Sequence, residues 1–118
     1  MVEIDPAHLV GTGGAIGALC RHYLAQAVER EGFPLGVLTV NVVGSFVLGL
    51  VTFANVGSDV VLFVGVGACG SFTTFSSFSV GTVDLWTSGY RGKAVVNAVA
   101  NLVGSLLAVG AAMVLVGA

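Results

Sequence analysis

Charge is what this sequence has least of. Of 118 residues, four are Lys or Arg and six are Asp or Glu, so 8% are charged. An ordinary soluble domain carries about 25%. Small domains bury too little surface to hide so apolar a chain, 56% hydrophobic, from water. Four bases make no basic patch, which excludes nucleic acid as a partner. The two cysteines, Cys20 and Cys69, lie 49 residues apart in apolar stretches, where both are expected to be buried. With His8 and His22 they form no recognisable metal-ligand spacing. Neither histidine has an acid and a nucleophile at a readable distance, so enzyme chemistry is disfavoured. The opening Met1-Val2-Glu3-Ile4-Asp5-Pro6 is acidic, unlike the basic start of a cleavable leader.

What remains is long apolar runs and 18 glycines, with a mean hydropathy of +1.03. Together these predict an all-α integral membrane protein, one domain over residues 1–118, with helices packed closely through small residues. Apolar spans are expected at about residues 9–28, 35–54, 60–85 and 94–116, each long enough for a crossing of about 20 residues. Pro34, after Arg30, Glu31 and Gly32, ends the first. Asn55, Gly57, Ser58 and Asp59 form the turn after the second. Period-two alternation is weak, which argues against a membrane barrel.

The third span is different. Its middle reads Gly67-Ala68-Cys69-Gly70-Ser71-Phe72-Thr73-Thr74-Phe75-Ser76-Ser77-Phe78-Ser79. Hydroxyls can bond back to the carbonyl four residues earlier, but five of them between Thr73 and Ser79 exceed that habit. A helix broken at its centre, beginning with the Gly70–Thr73 stretch, is expected; a continuous helix packed tightly through glycine is the alternative. All four bases, Arg21, Arg30, Arg91 and Lys93, fall on or near one side of a four-span arrangement. The positive-inside rule then predicts termini outside and the basic loops in the cytoplasm of a multi-pass cell-membrane protein.

Other polar residues interrupt the spans. Arg21 could snorkel to the interface or stand at the mouth of an anion path. Asn41 and Ser45 share a helix face, as do Asn97, Asn101 and Ser105. Interhelical hydrogen bonding is one reading of Asn41; lining a pore with its amide hydrogens is the other. Phe75 and Phe78 are three residues apart, either for packing or for binding. An aromatic ring has a positive edge, which can meet a bare anion while hydroxyl and amide donors complete its shell. A helix break exposes carbonyls suited to a small cation.

These motifs, with Gly13-Gly14-Ala15-Ile16-Gly17-Ala18-Leu19-Cys20-Arg21 and Gly36-Val37-Leu38-Thr39-Val40-Asn41-Val42-Val43-Gly44-Ser45-Phe46, resemble the small fluoride channels of the Fluc or CrcB family over essentially the whole chain. The resemblance implies passive fluoride export that reduces cellular toxicity. It also implies a dual-topology-type dimer of four-helix subunits with two fluoride paths along the interface. By likeness, Phe75 and Phe78 would be the ring-edge ligands and Asn41 would point into the pore. Ser79, Thr39, Ser105 and Asn101 would join the polar path, and Arg21 would take the vestibule position. The carbonyls of Gly70 and Thr73, doubled by the partner subunit, would hold a structural Na+ at the dimer interface.

Two positions differ from the family pattern: Asn101 stands where many members have Tyr, and Gly81 stands near a common Glu, with Asp84 the next acid. The one-sided bases leave open whether the partner in the lipid membrane is an antiparallel second copy or a paralogous subunit of opposite topology. Two further functions compete. A four-helix multidrug-type transporter subunit would need a membrane-embedded acid, yet none lies between Asp5 and Glu29, Glu31 and Asp59, or Asp59 and Asp84. A non-conducting structural partner would need the two rings for assembly alone.

Overall fold

The computed structural model describes residues 5–117, and the acidic opening at Met1 to Ile4 lies outside the described residues. Helix α1 spans Pro6–Val28. The Asp5 side chain caps it by accepting from the Ala7 N–H at 2.9 Å, and Pro6 supplies a first residue with no N–H to satisfy. A tight turn bridging Arg30 and Phe33 follows, with Gly32 at φ +86°, a left-handed conformation that favours glycine. Helix α2 spans Leu35–Phe53. Helix α3 covers residues 58–72 in three parts: Ser58–Val60, the wider π-helical Val61–Cys69, and Gly70–Phe72. Thr73 and Thr74 are extended (ψ 157° and 112°) and separate it from α4, Phe75–Thr87. Helix α5 spans Arg91–Leu115.

The break is therefore real but displaced. Gly70 is helical, at φ −60° and ψ −36°. The irregular residues are Thr73, the last of the expected Gly70–Thr73 stretch, and Thr74 after it. Glycine permits a break without requiring one, and the backbone leaves the helix where another helix takes its hydrogen bonds.

The chain packs α2 along α5, and α1 along the π-helical part of α3. Small residues face inward: Gly13, Gly17, Gly36, Gly44, Gly49, Ala94, Ala108 and Ala112 are buried. Large ones face out, including Leu19, Val99, Leu102, Leu106 and Leu107. That inversion suits a lipid solvent, where backbones gain by close approach and apolar side chains have no water to escape. The closest seam joins α1 to α3. A Cβ on Gly13 would strike the Phe63 carbonyl and one on Gly17 the Ala68 carbonyl. Ser71 Oγ crosses the same seam to donate to the Gly14 carbonyl.

Three segments are long and apolar enough to cross a membrane: Leu35–Phe53, Ser58–Thr87 and Arg91–Leu115. Helix α1, with 23 residues, has the length but is more polar, carrying Arg21, His22 and Gln26. The Arg30 turn and the Tyr90–Lys93 segment meet at one end, where they line a common cleft. Arg91 lies over the Trp86 ring at 5.0 Å and Lys93 over the Tyr90 ring at 4.9 Å. Bases seated on aromatic rings are typical of a membrane–water rim.

Candidate ion path at the helix break

An open groove of about 350 Å³ lies beside the break. Helix α2 contributes Asn41, Ser45 and Leu48; the break contributes Thr73 and Thr74; α4 contributes Phe75 and Phe78. Helix α5 closes one wall with Asn101, Leu102, Ser105 and Leu106. Five sequence-derived candidates thus share one cavity: Asn41, Phe75, Phe78, Asn101 and Ser105. Thr73, proposed for its carbonyl, also lines it. The two rings lie with centroids 5.6 Å apart and planes tilted by 50°. Phe75 is 79% exposed, so its edge is open to whatever occupies or covers the groove.

The amide groups are not free. Asn41 accepts from the Thr74 N–H at 2.7 Å through Oδ1. Its Nδ2 donates to the Thr74 carbonyl at 3.2 Å and to Asn101 Oδ1 at 2.9 Å. Asn101 Nδ2 in turn donates to the carbonyl and Oδ1 of Asn97, at 2.9 and 3.0 Å. Both amide hydrogens of Asn41 are therefore spent on protein. The groove's uncommitted hydroxyls are Ser45 and Ser105, which make no side-chain hydrogen bond among the described residues.

This network explains the break. In an unbroken helix the Thr74 N–H would bond to the Gly70 carbonyl; here it goes to Asn41. The Ser77 N–H would bond to the Thr73 carbonyl, but goes to Thr74 Oγ1 at 3.1 Å, an N-cap for α4. The carbonyls of Gly70 and Thr73 are thus left without their helical donors. A hard cation takes oxygen ligands, and freed backbone carbonyls at a helix end are a suitable donor set.

The other candidates lie elsewhere. Ser79 and Thr39 are half-buried and outside the groove. Arg21 lines a separate cleft of about 260 Å³ with His22, Ala25, Gln26 and Glu29, and its Nε is buried without a hydrogen-bond partner among the described residues. Asp84 lines the cleft at the basic end together with Gly81 and Lys93. Cys69 is buried, but Cys20 is exposed, at an open cleft that it lines with Gly17 and with Ala68, Cys69 and Phe72 of α3. Sequence reasoning gave no role to Thr74, although a Thr immediately before a helix is a recognisable cap. It also gave no role to Thr82, whose importance depends on a neighbour in another helix.

Comparison with known proteins gives the family. Residues 8–114 match the family described as CrcB-like protein, Camphor Resistance (CrcB). The fluoride-specific ion channel FluC 2 of Haloarcula marismortui is 66% identical over 112 residues, 95% of this chain and 94% of that protein. FluC 1 of Halobacterium salinarum is 49% identical over 111 residues, 94% of this chain and 93% of its own length. The fluoride-specific ion channel FluC of Methanocaldococcus jannaschii is 42% identical over 106 residues, 86% of each. With its family match over most of its length and its polar break held among apolar helices, this chain belongs to the CrcB family.

Proposed function

We propose that this chain is the subunit of a fluoride-specific ion channel in the cell membrane, which lets fluoride leave the cell passively. One observation carries the reading: Phe75, Phe78 and the free hydroxyls of Ser45 and Ser105 converge on a single groove at a helix break. A bare anion in a low-dielectric interior is very costly. Ring edges and hydroxyl hydrogens replace part of its water, and the two rings lie close enough to act in succession.

The groove is open on the side where Phe75, Leu102 and Leu106 are exposed. A partner must cover it, either a second copy in antiparallel orientation or a paralogous subunit. Helix α1 serves as a fourth span in this arrangement, with the basic end in the cytoplasm and the termini outside. Arg21, with its unpartnered Nε, attracts anions toward the membrane edge. Thr39 and Ser79 extend the polar track beyond the groove.

The chain alone, reconstituted in liposomes, is expected to pass fluoride and exclude chloride. No flux until a paralogue is added would identify a heterodimer. Phe75→Ile and Phe78→Ile are each expected to lower fluoride flux about 10-fold to 100-fold, a loss of about 1.4 kcal/mol per decade, while assembly is retained. Wild-type flux in both would overturn their assignment as ring-edge ligands.

The carbonyls of Gly70 and Thr73 fit a sodium ion shared with the partner subunit. Once bound, the ion supplies a fixed positive charge beside the anion path. Replacing sodium by potassium throughout purification is expected to lower both the thermal midpoint and the fluoride flux. Neither changing would overturn the site.

A further inference from the structure

The hydrogen-bond chain continues past the groove. Asn97 is fully buried, with no exposed surface, and does not line the groove. Its Nδ2 donates to Thr82 Oγ1 at 2.8 Å, and that hydroxyl donates to the Phe78 carbonyl at 2.8 Å. Its Oδ1 and its carbonyl both accept from Asn101, which orients Asn41. The chain therefore begins on the backbone of Phe78 and ends on the backbone of Thr74. Phe75 and Phe78 sit on the short stretch of α4 held between those two anchors.

We propose that Asn97 is a positioning residue for the ion path. Through Asn101 and Asn41 it holds the Thr74 backbone away from the Gly70 carbonyl, and through Thr82 it fixes the turn that carries the Phe78 ring. Each amide in the series has one orientation consistent with its neighbours. Asn41 must present its oxygen to the Thr74 N–H, so its nitrogen faces Asn101; Asn101 must then turn its nitrogen to Asn97. An interhelical tie would need one bond between α4 and α5; this series joins α2, α4, α5 and the break. The role rests on the groove being the ion path, but the Thr74 hydrogen bond is measurable without any ion flux.

The test compares Asn97→Leu, Asn97→Asp and Thr82→Val, in the reconstituted full chain, by hydrogen–deuterium exchange of the Thr74 amide and by fluoride flux. Asn97→Leu removes the side-chain acceptor for Asn101, leaving only the backbone carbonyl, and removes the donation to Thr82. It is expected to speed Thr74 exchange at least ~10-fold, since losing about 1.4 kcal/mol of protection gives that factor, and to reduce flux by a similar factor. Asn97→Asp keeps an acceptor for Asn101 and is expected to leave Thr74 exchange within about 3-fold of wild type, on the same scale. Thr82→Val is expected to lower flux, with Thr82→Ser restoring it.

Wild-type exchange in Asn97→Leu, or equal acceleration in Asn97→Leu and Asn97→Asp, would overturn the proposal, the second because keeping an acceptor for Asn101 would then do nothing for Thr74. If Asn97→Leu does not purify as a monodisperse species, the Thr82 pair decides: wild-type flux in Thr82→Val overturns it. Should the wild-type chain carry no fluoride either alone or with a paralogue, the channel reading fails, while the Thr74 exchange ratios still decide the role of Asn97.

Discussion

Asn41→Leu is expected to abolish fluoride efflux and to destabilise the chain by roughly 3–9 kcal/mol, from three part-buried polar groups at about 1–3 kcal/mol each. The substitution takes the acceptor from the Thr74 N–H, a donor from the Thr74 carbonyl and a donor from Asn101 Oδ1. Leucine fills the volume but leaves all three without partners in a medium that offers no water. The Thr74 N–H is then free to close a helical turn on the Gly70 carbonyl, removing the break that shapes the groove. Thermal unfolding in detergent and liposome efflux measure the two effects separately. Ser45→Ala gives the contrast: its hydroxyl has no protein partner among the described residues, so flux should fall while the unfolding midpoint stays. An Asn41→Leu chain with wild-type stability and flux would show that the clamp is dispensable.

Gly17→Val is expected to prevent formation of the folded chain, at a cost of at least about 3 kcal/mol, the upper end for overpacking. The added Cβ meets the Ala68 backbone carbonyl and lies 2.6 Å from Ser71 Oγ. A backbone carbonyl inside a helix has no alternative rotamer, so α1 and α3 must separate. Separation also breaks the Ser71–Gly14 hydrogen bond. Gly110→Ala is the control, because its Cβ would meet nothing within 4 Å. Size-exclusion profiles of the two variants should differ sharply; a normal profile for Gly17→Val would mean that the seam is looser than the structure shows.

These two effects mark how far the site was legible in the sequence. Phe75, Phe78, Asn41, Asn101 and Ser105 were identifiable because polar and aromatic residues at helical spacing stand out in apolar spans, and they converge on one groove. The use of each was not legible. Asn41 could equally serve as interhelical tie or pore lining on sequence grounds, and the structure gives both its amide hydrogens to protein. The break was expected to begin at Gly70 because glycine marks flexibility; it falls at Thr73 and Thr74 because a side chain on α2 competes for the Thr74 backbone.

The sequence by itself determined that the protein is helical, apolar and suited to a membrane, and that its third apolar segment carries the chemistry. Those properties are sums along the chain: charge content, run length and hydropathy do not depend on which helices touch. The tertiary structure alone decided which hydroxyls remain free, which carbonyls lose their helical donors, and that Asn97 reaches the break through two other amides. Hydrogen-bond donors are few and each hydrogen is spent once, so its destination is set by the nearest acceptor in space. In this fold that acceptor often lies on another helix, as far as 60 residues away between Asn41 and Asn101.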